Sequence, residues 1–147
     1  MPFTEKTDNT YNFFGIPEGL DMKEAQALFE QAMKHIYGDG VPEDNELAVK
    51  LLTQAHNAGH IEATYNLGIC YHYGYGTEIN LETAFNLYLE SATHGYGKGM
   101  ELVGRFYNRG IYVAYDQAKA EHWLRMAMNS DDPEASEEAQ KELNRKI

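Results

Sequence analysis

The chain matches itself when slid by 36 residues, and this self-similarity limits its fold more than any other feature. Gly38 falls on Gly74 and then Gly110, and Gly40 falls on Gly76. Ala48, Ala84 and Ala120 coincide, as do Ala27, Ala63 and Gly99. Leu51, Leu87 and Trp123 form one column, and Leu52, Tyr88 and Leu124 form the next. Asp44, Asn80 and Asp116 align as residues of the type that caps helix N-termini. No insertion interrupts these columns. A unit this short cannot bury its own apolar face, so neighbouring units must stack into one continuous core.

Each unit reads as two helices. First-type helices are expected at about Met22 to Tyr37, Ile61 to Tyr73 and Lys98 to Arg109, and Asp21 with Glu24 has the shape of a capping box. Glycine supplies the positive φ of the turn that ends them. Second-type helices begin after Asp44, Asn80 and Asp116, and Gly59 and Gly95 end two of the three. In the first of these, Ala48, Leu51, Leu52 and Ala55 recur with helical spacing. The column Ala32, Gly68, Gly104 costs helix propensity, roughly 1 kcal/mol per glycine. Close approach to the backbone of the paired helix is the expected compensation.

The ends of the array look different. Asp131-Asp132-Pro133 reads as an N-cap with proline in the first turn, opening a fourth first-type helix. Its apolar stripe, Ala135, Ala139, Leu143 and Ile147, is thin and suits a lid on the open end of a solenoid. At the other end, Phe3, Tyr11, Phe13, Phe14 and Ile16 read as an irregular cap on the first hairpin, with a partner-binding arm as the alternative. The expected architecture is all-α, an α-solenoid of seven main helices without a sheet. Residues 1–21 form the cap or arm, 22–147 the solenoid, with repeats at about 25–60, 61–96 and 97–132 and a capping helix at 133–147.

Composition narrows the function classes. Net charge is −11, with 23 acidic against 12 basic residues, which excludes a uniformly basic nucleic-acid surface. No apolar run has the length of a membrane span, and Met1 to Asp21 lacks the basic lead and apolar core of a signal peptide. A cytoplasmic location and a monomer in the free state are expected. The one cysteine, Cys70, has no internal disulfide partner and reads as a small buried residue.

No chemistry-bearing constellation stands out. His56 and His60 are four apart, but Gly59 intervenes and no His-Glu-x-x-His run exists, so no metal site is expected. Gly95, Gly97 and Gly99 lack the preceding strand of a phosphate loop, and Lys98 is not followed by Ser or Thr. Cys70 and His72 are two apart on a helix and point in different directions. Asp131-Asp132 and Glu137-Glu138 read as solvated charge on the terminal lid. No catalytic residue and no cofactor are assigned, and the chain is expected not to be an enzyme.

The run Ala63-x-x-x-Leu67-Gly68-x-x-Tyr71-x-x-Gly74-x-Gly76, followed by Ala84 and Ala92-x-x-Gly95, resembles the Sel-one-like repeat, a relative of the tetratricopeptide repeat. The likeness covers about Met22 to Ser130 and the partial fourth unit. The first repeat departs from it with Gln31-Ala32 where Leu-Gly is usual. The third carries Tyr112 in place of the second loop glycine, which leaves that loop's conformation open.

The resemblance implies a non-enzymatic module that holds a partner protein on the concave face of a superhelix. The groove positions it implies are Gln26, Phe29, Met33, Ile36 and Tyr37 in the first repeat. They are Glu62, Tyr65, Ile69, His72 and Tyr73 in the second, and Lys98, Glu101, Arg105, Asn108 and Arg109 in the third. Such a groove runs from aromatic to basic, and aromatics and arginine dominate interface energetics. Phe29, Tyr65 and Ile69 have an equally open reading as core between repeats. Two roles follow for an interaction module: a bacterial immunity protein that neutralises a cognate toxin or effector, and a scaffold or regulatory adaptor in a signalling or secretion system. A small-ligand binder or enzyme using Tyr65, Tyr73, Arg105 and Arg109 is the remaining alternative.

Overall fold

Local capping chemistry sets where the helices begin. Asp21, Asp44, Asn80, Asp116 and Asp132 each accept a hydrogen bond from a backbone N–H in the first turn that follows them. The computed structural model describes residues 21–145, and the helices among them are α1 (Met22–Tyr37), α2 (Asn45–Asn57), α3 (Ile61–Tyr73), α4 (Leu81–Thr93), α5 (Gly97–Arg109), α6 (Gln117–Met128) and α7 (Pro133–Leu143). No strand occurs in the described residues. The all-α reading of the 36-residue period is correct.

The turn between first- and second-type helices is the same object three times. Gly38, Gly74 and Gly110 close α1, α3 and α5 in the left-handed region, with φ of 64°, 77° and 62°. Asp44, Asn80 and Asp116 then donate their backbone N–H to the carbonyls of His35, Tyr71 and Tyr107 at 2.9, 2.8 and 3.1 Å. The third loop, open on sequence grounds, keeps this geometry although Tyr112 must adopt φ 62° to do so. Gly76, its counterpart in the second repeat, has no such latitude, because a Cβ there would run into the backbone of Asn45.

Consecutive helices pack in pairs, and α7 lies against both α6 and α5. Two apolar clusters result. One joins Ala25, Phe29, Ala32, Leu51, Leu52, Leu67 and Cys70, and the other joins Phe85, Tyr88, Val103, Phe106, Leu124 and Ala139, with Tyr71 touching both. The small column is a close-packing column, limited by side chain and backbone of the partner helix together. A Cβ on Gly68 would lie 2.8 Å from the Tyr88 ring, and one on Gly104 would lie 2.6 Å from Leu124 Cγ. The nearest neighbour is a large side chain of the partner helix, and that helix's backbone approaches closely as well: Ala84 O would be 3.4 Å from the Gly68 Cβ, and Leu124 N 3.1 Å from that of Gly104.

Two further expectations change. Ala27 does not share the packing role of Ala63 and Gly99: both of those are buried, whereas Ala27 is exposed on α1, which has no described helix before it. In α7, Ala135 and Ala139 are buried as read, yet the third buried residue is Glu142 and Leu143 is only half-buried. The aromatic N-terminal cap or arm and Ile147 lie outside the described residues.

Candidate functional site

The first-type helices α1, α3 and α5 carry the positions read as a groove, and the structure sorts these by accessibility. Tyr37 and Tyr73 are exposed, at 72% and 51% of their surface. Met33, Tyr65, Ile69 and His72 are half-buried behind them. Phe29 is buried, stacked on His60 at 4.8 Å between ring centres, and belongs to the first core rather than to an open surface. Its alternative reading, as core, is the one the geometry fits.

Aromatic contacts link the half-buried positions of α3 to α4 and α5. Tyr65 leans on Tyr88 and Tyr96 with ring centres 5.7 and 5.2 Å apart. His72 stacks on Tyr73 at 4.2 Å, meets Phe106 edge-on at 5.1 Å, and shares a 3.0 Å hydrogen bond with the Tyr88 hydroxyl through Nδ1. Burial and the nearby Arg105 charge hold the His72 imidazole below its ordinary pKa, so it stays neutral at physiological pH. Burial pushes the Tyr65 and Tyr88 hydroxyls up, and both remain protonated.

The third-repeat end of the groove departs from its reading as an open basic surface. Arg105 bonds Glu101 at 2.5 Å and approaches Glu138 at 3.7 Å and Glu142 at 4.0 Å. Arg109 takes both carboxylate oxygens of Glu142, at 3.0 Å through Nε and 2.7 Å through Nη2. Asn108 Nδ2 donates to the same carboxylate at 2.8 Å, and Lys98 pairs with Glu134 at 3.4 Å. Every one of these carboxylates but Glu101 belongs to α7. The basic end is therefore occupied by the chain's own C-terminal helix, and Glu137-Glu138 is only in part the solvated pair expected, since Glu138 faces Arg105.

The electrostatics of this cluster follow from which charges face one another. Glu101, Glu138 and Glu142 face Arg105 and Arg109, and Glu138 is held more closely by Lys141, at 3.0 Å. Glu142 holds two guanidinium bonds and an amide bond, and those bonds lower its pKa against the opposing effect of burial. Glu101 is 4% exposed, and burial raises its carboxyl from 4.5 to about 7, with Arg105 opposing. Glu101 Oε2 and Arg105 Nε have no hydrogen-bond partner among the described residues.

Two other histidines serve structure. His60 caps α3, its Nδ1 accepting from the Ala63 N–H at 3.0 Å, which leaves Nε2 to donate to Gln26 Oε1 at 2.6 Å. His56 Nδ1 bonds Thr64 Oγ1 at 2.7 Å. Cys70 is buried among apolar side chains and its thiol is pushed up to about 11. Among the described residues no three His, Cys, Asp or Glu side chains come together as metal ligands would. No helix there is long and apolar enough to cross a membrane.

Comparison with known proteins gives this geometry its context. The family model described as "Sel1 repeat" matches residues 35–60, 61–96 and 97–132. Among curated proteins the chain is similar to chitin synthase regulatory factor 2 of Schizosaccharomyces pombe, 29% identical over 125 residues. That alignment covers 82% of this chain but only 22% of the yeast protein. Among solved structures, a Sel1 repeat protein from Oxalobacter formigenes superposes with a TM-score of 0.70 at 28% identity, over 80% of this chain and 89% of that one. A protective antigen of uropathogenic Escherichia coli with an SLR fold gives 0.73 at 26% identity, over 77% of this chain and 24% of that one.

Proposed function

Because the chain belongs to the Sel1 repeat family, whose members are in general protein-interaction modules, we propose that it binds a partner protein in the groove of its first two repeats. The observation that carries this reading is the pair Tyr37 and Tyr73, exposed one repeat apart at equivalent positions. Met33, Tyr65, Ile69 and His72 are half-buried on the same helices, and His72 stacks on Tyr73. A large aromatic left in solvent twice in register serves no core, and tyrosine offers wide contact at low conformational cost. The third repeat contributes less to binding than its residue types suggest, because Glu101, Arg105 and Arg109 are committed to one another and to α7.

The role of regulatory adaptor is favoured by the likeness to a chitin synthase regulatory factor. Neutralising a cognate toxin, as a bacterial immunity protein does, is the sharper alternative. A photo-crosslinking residue at Tyr73, with one at exposed His122 on α6 as control, tests the groove in an extract of the source cells. A single species trapped only from Tyr73 supports the reading, and identifying it separates a toxin from a regulated enzyme. Equal trapping from both positions, or from His122 alone, rejects the groove.

A further inference from the structure

We propose that the edge formed by the three inter-helix loops is a second docking surface, and that it receives a Lys/Arg-rich segment of a protein partner. Apart from Tyr37 and Tyr73 of the groove, four of the six large apolar side chains exposed among the described residues sit in these loops: Tyr75, Ile79, Tyr112 and Tyr115. The edge adjoins the groove at Tyr73, whose ring stacks on that of Tyr75 at 5.7 Å. It extends the preceding section's reading and rests on the chain having a protein partner.

Tyr112 marks the edge as more than stray exposure. It occupies the left-handed region at φ 62°, where the two other repeats place Gly40 and Gly76. Backbone strain of this kind in a bulky residue persists only when the side chain returns something. Its ring lies 5.9 Å from that of Phe85, yet Phe85 is already met edge-on by Tyr107 at 5.6 Å, and 51% of Tyr112 faces solvent. The exposed half of the ring is the part that packing leaves without a purpose.

Charge decides the occupant. Across the loops and the helix ends that flank them, residues 37–46, 73–82 and 109–119, acids such as exposed Asp39, Glu43 and Glu78 outnumber two bases, Arg109, which Glu142 already holds, and Lys119, which lies over the Tyr107 ring. Aromatic faces in a negative field attract Lys and Arg through the ring quadrupole and through long-range attraction alike. The same field disfavours a second copy of this acidic chain.

The test uses the full chain and a fluorescein-labelled twelve-residue peptide of alternating Lys-Arg and Gly-Leu pairs, titrated by anisotropy at 0.15 M salt. Tyr75→Ala with Tyr112→Gly removes two rings while leaving the third loop's backbone in a conformation glycine favours. We expect at least tenfold weaker binding from this pair, and a comparable loss from Asp39→Asn with Glu78→Gln. The control, Asp131→Asn with Glu24→Gln, makes the same charge change at exposed positions at the opposite end of the helices and should stay within twofold. An equal loss from the control means diffuse attraction to a negative protein and overturns the proposal. So does unchanged binding in the ring variant. Because the peptide replaces the partner, either failure leaves crosslinking from Tyr73 as an independent result for the groove.

Discussion

Replacing Gly68 with alanine sets two effects of known sign against each other, and the identity of residue 88 decides which wins. Alanine recovers roughly 1 kcal/mol of helix propensity lost by glycine. Its Cβ would however lie 2.8 and 2.9 Å from Tyr88 Cε1 and Cδ1, well inside contact distance. Tyr88 is fully buried, tied to His72 by its hydroxyl and wedged between Tyr65 and Phe106, so the ring has nowhere to retreat. Overpacking of this kind costs roughly 1–3 kcal/mol. The net change should be a destabilisation of about 1 kcal/mol, or a fall of about 3 °C in Tm for a domain of this size. In a Tyr88→Leu background the ring is gone and the site becomes the pairing of the first repeat, Ala32 with Leu52. There Gly68→Ala should stabilise by about 1 kcal/mol, a coupling of about 2 kcal/mol between the two positions. Urea unfolding of the four proteins of this cycle measures it. If Gly68→Ala has the same sign and size in both backgrounds, the Gly68–Tyr88 contact does not set the spacing of α3 and α4.

Other consequences are tested more simply. Glu142→Gln should free α7: breaking a fully buried pair costs roughly 3–5 kcal/mol, and with Arg109 34% exposed a loss of about 2 kcal/mol is expected. Hydrogen exchange should quicken in 133–143 before α1 or α2 responds, and unchanged protection there would contradict the hold of Arg109 and Asn108 on α7. Glu101 titrates near 7 when folded against 4.5 unfolded, so the unfolded chain releases its proton first and stability falls as pH rises from 4.5 to 7. Glu101→Gln removes that slope, so the variant's stability relative to the parent should increase across this window; a gap that stays constant from pH 4.5 to 8 would disprove the burial argument. His60 works in the opposite sense: its pKa is lowered, so stability is lost as pH falls below 6.5, and His60→Asn, which keeps a capping side chain, should flatten the loss.

Helix boundaries were legible because capping is local. Asp44, Asn80 and Asp116, followed at fixed distances by apolar residues, specify the start of α2, α4 and α6 without reference to the rest of the chain. The state of a groove side chain is not local, since it depends on what the next helix brings. Phe29 was equally groove or core on sequence grounds, and contact with His60 of the next repeat decided it. Arg109 reads as part of an open basic end because Glu142 lies 33 residues away, on a helix that leans onto α5 as well as α6, whereas Glu101, the nearest partner of Arg105, stands four residues before it on α5. That lean follows from small residues: a Cβ on Gly97 would meet Ala135 Cβ at 3.3 Å. A signal for the missed Glu142 did exist. The 36-residue register places it beneath Cys70 and Phe106, 2% and 0% exposed, so a carboxylate there had to be buried and had to find a cation. Glu101 stands in the column of Phe29 and Tyr65 and carried the same warning.

The claim on which the functional account turns is that a partner rests on Tyr37 and Tyr73. Once a species is trapped from the groove, calorimetric titration against the Tyr37→Ala, Tyr73→Ala pair measures it directly. Central aromatic anchors lose about 2 kcal/mol or more on truncation, roughly thirtyfold in Kd. The same titration with Lys50→Ala, at an exposed position of α2, should return the parent affinity. A thirtyfold loss confined to the tyrosine pair is the predicted result, and equal affinities for the two variants would contradict the account.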